Sequence, residues 1–100
     1  MKTIMVRYTT TEAHAGTNEA MIRAVFADLH ARLPKGIRYD SYRVGAGATF
    51  VHIASLDVPG DNPLTALPSF AAFQERLKDR CVEPPFVSDL SPVGSYRYEA

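Results

Sequence analysis

The sequence has one cysteine, no tryptophan and no net charge: eleven Lys and Arg balance eleven Asp and Glu. A lone Cys81 excludes an intrachain disulfide framework and argues against a small secreted scaffold. The charge balance lacks the basic footprint of a nucleic-acid binder. No apolar run approaches the ~18 residues of a membrane span. The apolar part of the opening stretch MKTIMVRYTT ends at Arg7, too early for a signal-peptide core. These absences lead us to expect a cytoplasmic protein with no membrane or nucleic-acid partner, folded as one domain over residues 1–100.

What is present is an alternation of β and α patterns. Lys2 to Tyr8 places Ile4, Val6 and Tyr8 on one face and Thr3, Met5 and Arg7 on the other, the period of a strand. Asn18 to Leu33 carries Ile22, Val25, Phe26, Leu29 and Leu33 at helical spacing. The helix starts at Asn18, with Thr17 or Asn18 as N-cap, or as early as Ala13. Gly16 reads as a breaker, and Pro34 and Gly36 stop the helix. Ile37–Val44 and Thr49–Leu56 read as two strands of an antiparallel hairpin joined by Gly45-Ala46-Gly47. A loop from Asp57 to Leu67 precedes a second helix from Pro68 to about Arg80, with Phe70, Phe73, Leu77 and Cys81 in its stripe. Pro84-Pro85 ends it, Phe86 to Pro92 is a linker, and Val93 to Tyr98 is the last strand.

The order β-α-β-β-α-β predicts a ferredoxin-like α+β fold: a four-stranded antiparallel sheet, strands one and three central, both helices on one face. The other face is then uncovered. Either Met5, Val51 and Ile53 or Val6, Phe50 and Leu56 must point to it, because one residue of register exchanges the two sets. An apolar open face of that kind is an association surface, and a second copy packed face to face would cover it.

The element order, the hairpin segment Tyr42-Arg43-Val44-Gly45-Ala46-Gly47-Ala48-Thr49-Phe50-Val51-His52, the helix Ser69-Phe70-Ala71-Ala72-Phe73 and the terminal segment Val93-Gly94-Ser95-Tyr96-Arg97 carry a resemblance over nearly the whole chain. The sequence resembles the dimeric α+β barrel superfamily and, within it, the antibiotic-biosynthesis-monooxygenase-like domains. The resemblance implies a homodimer whose sheets pack into a barrel, with a ligand cleft between sheet and helices in many members. It also implies one of the superfamily's activities: cofactor-independent oxygenation of aromatic polyketides, quinol oxidation or haem degradation. Many members have no assigned activity. The Asn, Trp and helical His of the haem-degrading members have no counterpart on the first strand, in the composition or on the second helix here.

The chemistry-bearing residues are few. His14, His30, His52 and Cys81 are separated by gaps of 16, 22 and 29 residues, which is no metal-ligand spacing. Gly45-Ala46-Gly47 lacks the third glycine of a phosphate loop, and a G-x-S-x-G elbow is absent. Cys81, near a helix C-terminus, reads as a buried apolar residue. His52 is the catalytic candidate: if its strand face looks toward the helices, this mid-strand imidazole lies under Phe70 and Phe73 and can accept a proton from a phenolic substrate; the other register puts it at the open face. The plainer reading is a core histidine bonded to a tyrosine hydroxyl or a backbone group. Arg7 can fix an anionic oxygen, or instead sit in a surface or interface salt bridge. Tyr39, Phe70 and Phe73 are candidate walls of an aromatic-binding cleft, although strand propensity and helical spacing explain them without a ligand. The expectation is a cofactor-independent, metal-free monooxygenase-like enzyme acting on a small aromatic or polyketide-like molecule. The alternative is a non-catalytic dimeric domain that binds a small ligand or assembles.

Overall fold

A computed structural model describes residues 1–97. Strand β1 (Lys2–Thr10) leads into helix α1 (Glu12–Arg32), then strands β2 (Ile37–Arg43) and β3 (Thr49–Leu56). A 3₁₀ turn (Pro63–Ala66), helix α2 (Pro68–Glu75) and a single helical turn α3 (Leu77–Arg80) precede strand β4 (Cys81–Leu90). The sheet order is β2-β3-β1-β4, antiparallel throughout, so β1 and β3 are central as the topology requires. This is the ferredoxin-like α+β fold.

The alternation of each strand decides which set faces the helices. Tyr8 and Thr10 of β1 and Phe50, His52, Ala54 and Leu56 of β3 are buried on that side. Tyr8 and Phe50 join Ile22 and Val25 of α1, Phe73 of α2 and Leu77 of α3 in one core cluster. Each large apolar side chain among them, such as Phe50, Val25 or Leu77, contributes roughly 1.5–3 kcal/mol by leaving water. Met5, Val51 and Ile53 therefore take the open face, in the register Met5↔Ile53 and Arg7↔Val51. Thr3 to Ser55 (2.9 Å) and Thr9 to Thr49 (2.8 Å) are hydroxyl pairs that flank this apolar centre.

Three sequence expectations change. The last strand is Cys81–Leu90, not Val93–Tyr98; residues 91–97 carry no regular structure, and Tyr98 lies outside the described residues. Pro84-Pro85 does not exclude a strand because β4 is an edge. The register jumps from Thr9↔Glu83 to Arg7↔Phe86, and both prolines sit in that irregularity, where no N–H is needed. Second, α1 begins after Thr11, and Gly16, Thr17 and Asn18 lie inside it. A helical glycine costs about 1 kcal/mol against alanine, which 21 residues of helix can carry. Asn18 is no cap; its amide is used in the core. Leu33 is not the end of the apolar stripe. It takes the left-handed conformation at the helix C-terminus (φ 50°) and is 72% exposed. Third, the second helix breaks at Arg76, so Cys81 begins β4, half-buried, instead of closing a stripe.

Candidate active site

His52 is 4% exposed and lies on the helix-facing side of central β3. Its diagonal neighbours on the flanking strands are Tyr8 and Tyr39, and the three rings are nearly parallel. Tyr8 and His52 have centroids 5.4 Å apart at 17°, Tyr39 and His52 5.8 Å apart at 5°. Phe26 of α1 stacks on Tyr39, and Phe73 of α2 meets the imidazole edge-on at 5.6 Å. Alternation brings these rings together: tyrosines at every second position of half-buried strands point to one face.

Both imidazole nitrogens have partners. Tyr8 Oη is 2.8 Å from Nε2; Ser41 Oγ and Tyr39 Oη are 2.6 and 3.1 Å from Nδ1. Behind Tyr8 stands a second layer. Asn18 Nδ2 donates to Tyr8 Oη (2.8 Å), and Arg80 donates through Nε and Nη2 to Asn18 Oδ1 (3.3 Å each). Arg80 Nη2 also donates to the Phe73 carbonyl (2.9 Å), and the guanidinium lies over the Phe73 ring at 5.7 Å. Arg80 is 7% exposed and Asn18 fully buried. Among the described residues no buried side-chain polar atom is left without a partner.

The electrostatics follow from burial. Desolvation lowers the His52 pKa to about 4, so the imidazole is neutral near pH 7. Burial raises the Tyr8 and Tyr39 hydroxyls above the ordinary phenol value, so both stay protonated donors. The cavity over this face is small, about 70 Å³, with walls that include Val6, Tyr39, Leu64, Phe70 and Phe73. Drug-sized ligands ordinarily occupy roughly 300–1,000 Å³. As it stands the cavity has room for a compact group, not for a polycycle. On the other side of Ser41, an open groove of about 590 Å³ runs between α1 and β2, spanned by Glu19 bonded to Arg23 and Arg43.

The expected site residues separate. His52, Tyr39, Phe70 and Phe73 line one cavity. Arg7 does not join them: it is exposed on the opposite face of the sheet, beside Phe86 in the ladder, because it is one residue out of phase with Val6 and Tyr8. Among the described residues no three His, Cys, Asp or Glu side chains converge.

No protein-family model matches the sequence, and no curated protein matches it significantly. Solved structures do. A Nitrosomonas europaea protein provisionally named an antibiotic biosynthesis monooxygenase superposes with a TM-score of 0.76 at 12% identity, over 94% of this chain and 100% of its own. Rv0793 from Mycobacterium tuberculosis gives 0.74 at 17%, over 96% and 98%. A variant of SnoaB, a cofactor-independent oxygenase from Streptomyces nogalater, gives 0.66 at 20%, over 94% of each chain.

This chain shares the ferredoxin-like α+β fold of those structures. Within that fold, sequence reasoning found the aromatic walls and His52 but missed Tyr8, Asn18, Ser41 and Arg80. Asn18 had a signal: with Ile22 and Val25 it falls at i, i+4 and i+7, a polar amide in the apolar stripe. Tyr8 and Ser41 had only their alternation. Arg80 had none, because its partner Asn18 is 62 residues away.

Proposed function

We propose that the protein is a cofactor-independent oxygenase-like enzyme whose substrate is a compact aromatic molecule bearing phenolic oxygen, and that it works as a homodimer. A buried neutral imidazole supports this reading: it is held between hydroxyls in a cavity with aromatic walls. His52 serves there as base or hydrogen-bond partner, while Tyr39, Phe70 and Phe73 position the ring. In such chemistry the substrate supplies the electrons. One atom of O₂ enters a ring carbon as a carbonyl oxygen; the hydrogen of that carbon and the phenolic hydrogen leave with the other oxygen atom as water, so that a phenol becomes a quinone. The cavity volume favours a single ring over a polycyclic polyketide unless α2 moves aside. Arg7 has its place at the dimer face, with Phe86 (70% exposed), Met5, Val51 and Ile53, an apolar surface on the side of the sheet away from the described helices.

The test is oxygen uptake with a panel of quinols and polyphenols. Uptake above the autoxidation rate, reduced at least tenfold by His52→Ala, supports the reading; general acid–base groups contribute about 10²–10⁴-fold. The second reading is a ligand-binding domain without turnover. The full engagement of both His52 nitrogens by protein groups favours it. Saturable binding of the same compounds without oxygen uptake selects it.

A further inference from the structure

The hydrogen bonds around His52 have a direction, and Arg80 sets it. A guanidinium only donates, so Asn18 Oδ1 accepts and the amide nitrogen is the end turned to Tyr8. Asn18 Nδ2 therefore donates to Tyr8 Oη, and the described residues offer the tyrosine hydrogen one acceptor, His52 Nε2. With Nε2 accepting, the neutral imidazole carries its hydrogen on Nδ1 and donates it toward Ser41 Oγ and Tyr39 Oη. Both hydroxyls share the one Nδ1 hydrogen, Ser41 at 2.6 Å and Tyr39 at 3.1 Å. Having accepted from Nδ1, the Tyr39 hydroxyl finds no further hydrogen-bond partner among the described residues, and Tyr39 lines the cavity.

We propose that the site presents a donor to its ligand: Arg80, Asn18, Tyr8 and His52 form a one-way hydrogen-bond chain that ends in the Tyr39 hydroxyl, with Ser41 sharing the Nδ1 hydrogen, and the ligand is an aromatic bearing an acceptor oxygen, a phenolate or enolate. This deepens the functional reading of the same cavity and chooses hydrogen-bond partner over base for His52. Arg80, Asn18 and Tyr8 are positioning residues. No carboxylate or ammonium lines the cavity. The chain begins at the Arg80 guanidinium, whose side-chain partner Asn18 is neutral, and its field favours a negative oxygen at the far end.

The experiment uses 4-nitrophenol, whose phenolate absorbs visible light, together with nitrogen-15 shifts of His52. The expected outcome is saturable binding with ionisation of the bound probe at a pH at least about one unit below that of the free compound, and a His52 with hydrogen on Nδ1. Tyr39→Phe removes the terminal donor and abolishes the downward shift while the tautomer is kept. Arg80→Met loses both, and Arg80→Lys restores part of each. If Arg80→Met does not fold, Tyr39→Phe and the wild-type tautomer still decide. Hydrogen on Nε2 in the wild type overturns the proposal. So does a bound probe that ionises at higher pH than free, or one that does not bind. A protein that shifts the probe but consumes no oxygen refutes the oxygenase reading alone; oxygen turnover with an Nε2–H imidazole refutes this inference alone.

Discussion

Acid should unfold this protein through His52 before its carboxylates matter, and the size of the effect follows from burial. The imidazole has an ordinary pKa of 6.5 and is lowered to about 4 in the fold by desolvation. The folded state thus refuses a proton that the unfolded chain takes up. Stability from this group is fully present above pH 6.5, declines below it, and is lost as pH falls through about 4. One proton changes stability by about 1.4 kcal/mol per pH unit. The loss is therefore about 2 kcal/mol at pH 5 and about 3 kcal/mol at pH 4, a large share of the 5–15 kcal/mol of a typical domain. The assay is urea unfolding from pH 7.5 to 4 at fixed protein concentration, for wild type and His52→Gln. The variant is less stable at pH 7.5 but lacks this component, so the two curves converge on acidification. Parallel curves over the whole range would refute the buried neutral imidazole.

Three further outcomes check other parts of the account. Tyr8→Phe strips His52 Nε2 and Asn18 Nδ2 of a shared partner, which costs about 1–3 kcal/mol in chemical denaturation. Ser69→Ala removes the hydroxyl that bonds Asp28 at 2.6 Å and ties α2 to α1. The Asp28 carboxyl is held below its usual pKa first by Ser69. We expect a lower urea midpoint at pH 7, and an unchanged midpoint would contradict the tie. Val51→Glu, on the open sheet face, should leave the monomer fold intact by circular dichroism. Light scattering should then shift from about twice 11.0 kDa to the single chain; a wild-type monomer at micromolar concentration refutes the dimer.

Most of the architecture was legible because it rests on periodicity. Alternation in β1, β2 and β3 and the stripe of α1 are local signals, and their order admits few topologies. Which sheet face met the helices was not legible, since both alternating sets of β3 are apolar enough to be core. Phe50 and Leu56 decide it in the fold, and they carry His52 with them. The last strand was misplaced because a proline pair forbids helix and interior strand alike, but not an edge strand at a register break. The site was half legible. His52, Tyr39 and Phe73 lie on regular faces whose direction can be counted. Arg80 lies at the end of a one-turn helix, and only the packing of α2 against α1 brings it to Asn18. A polar residue such as Asn18 in an apolar stripe was the one sign that a buried network existed, and its aptitude for helix caps concealed it.

The central claim is that the face of His52 turned toward the helices is where this protein meets its ligand. The most direct measurement is a backbone amide NMR titration of the wild-type protein with catechol. Shifts that saturate and cluster on Tyr8, Tyr39, His52 and Phe73 are the predicted result. Shifts confined to the open face around Met5, Val51 and Ile53, or none at saturating catechol, would contradict it.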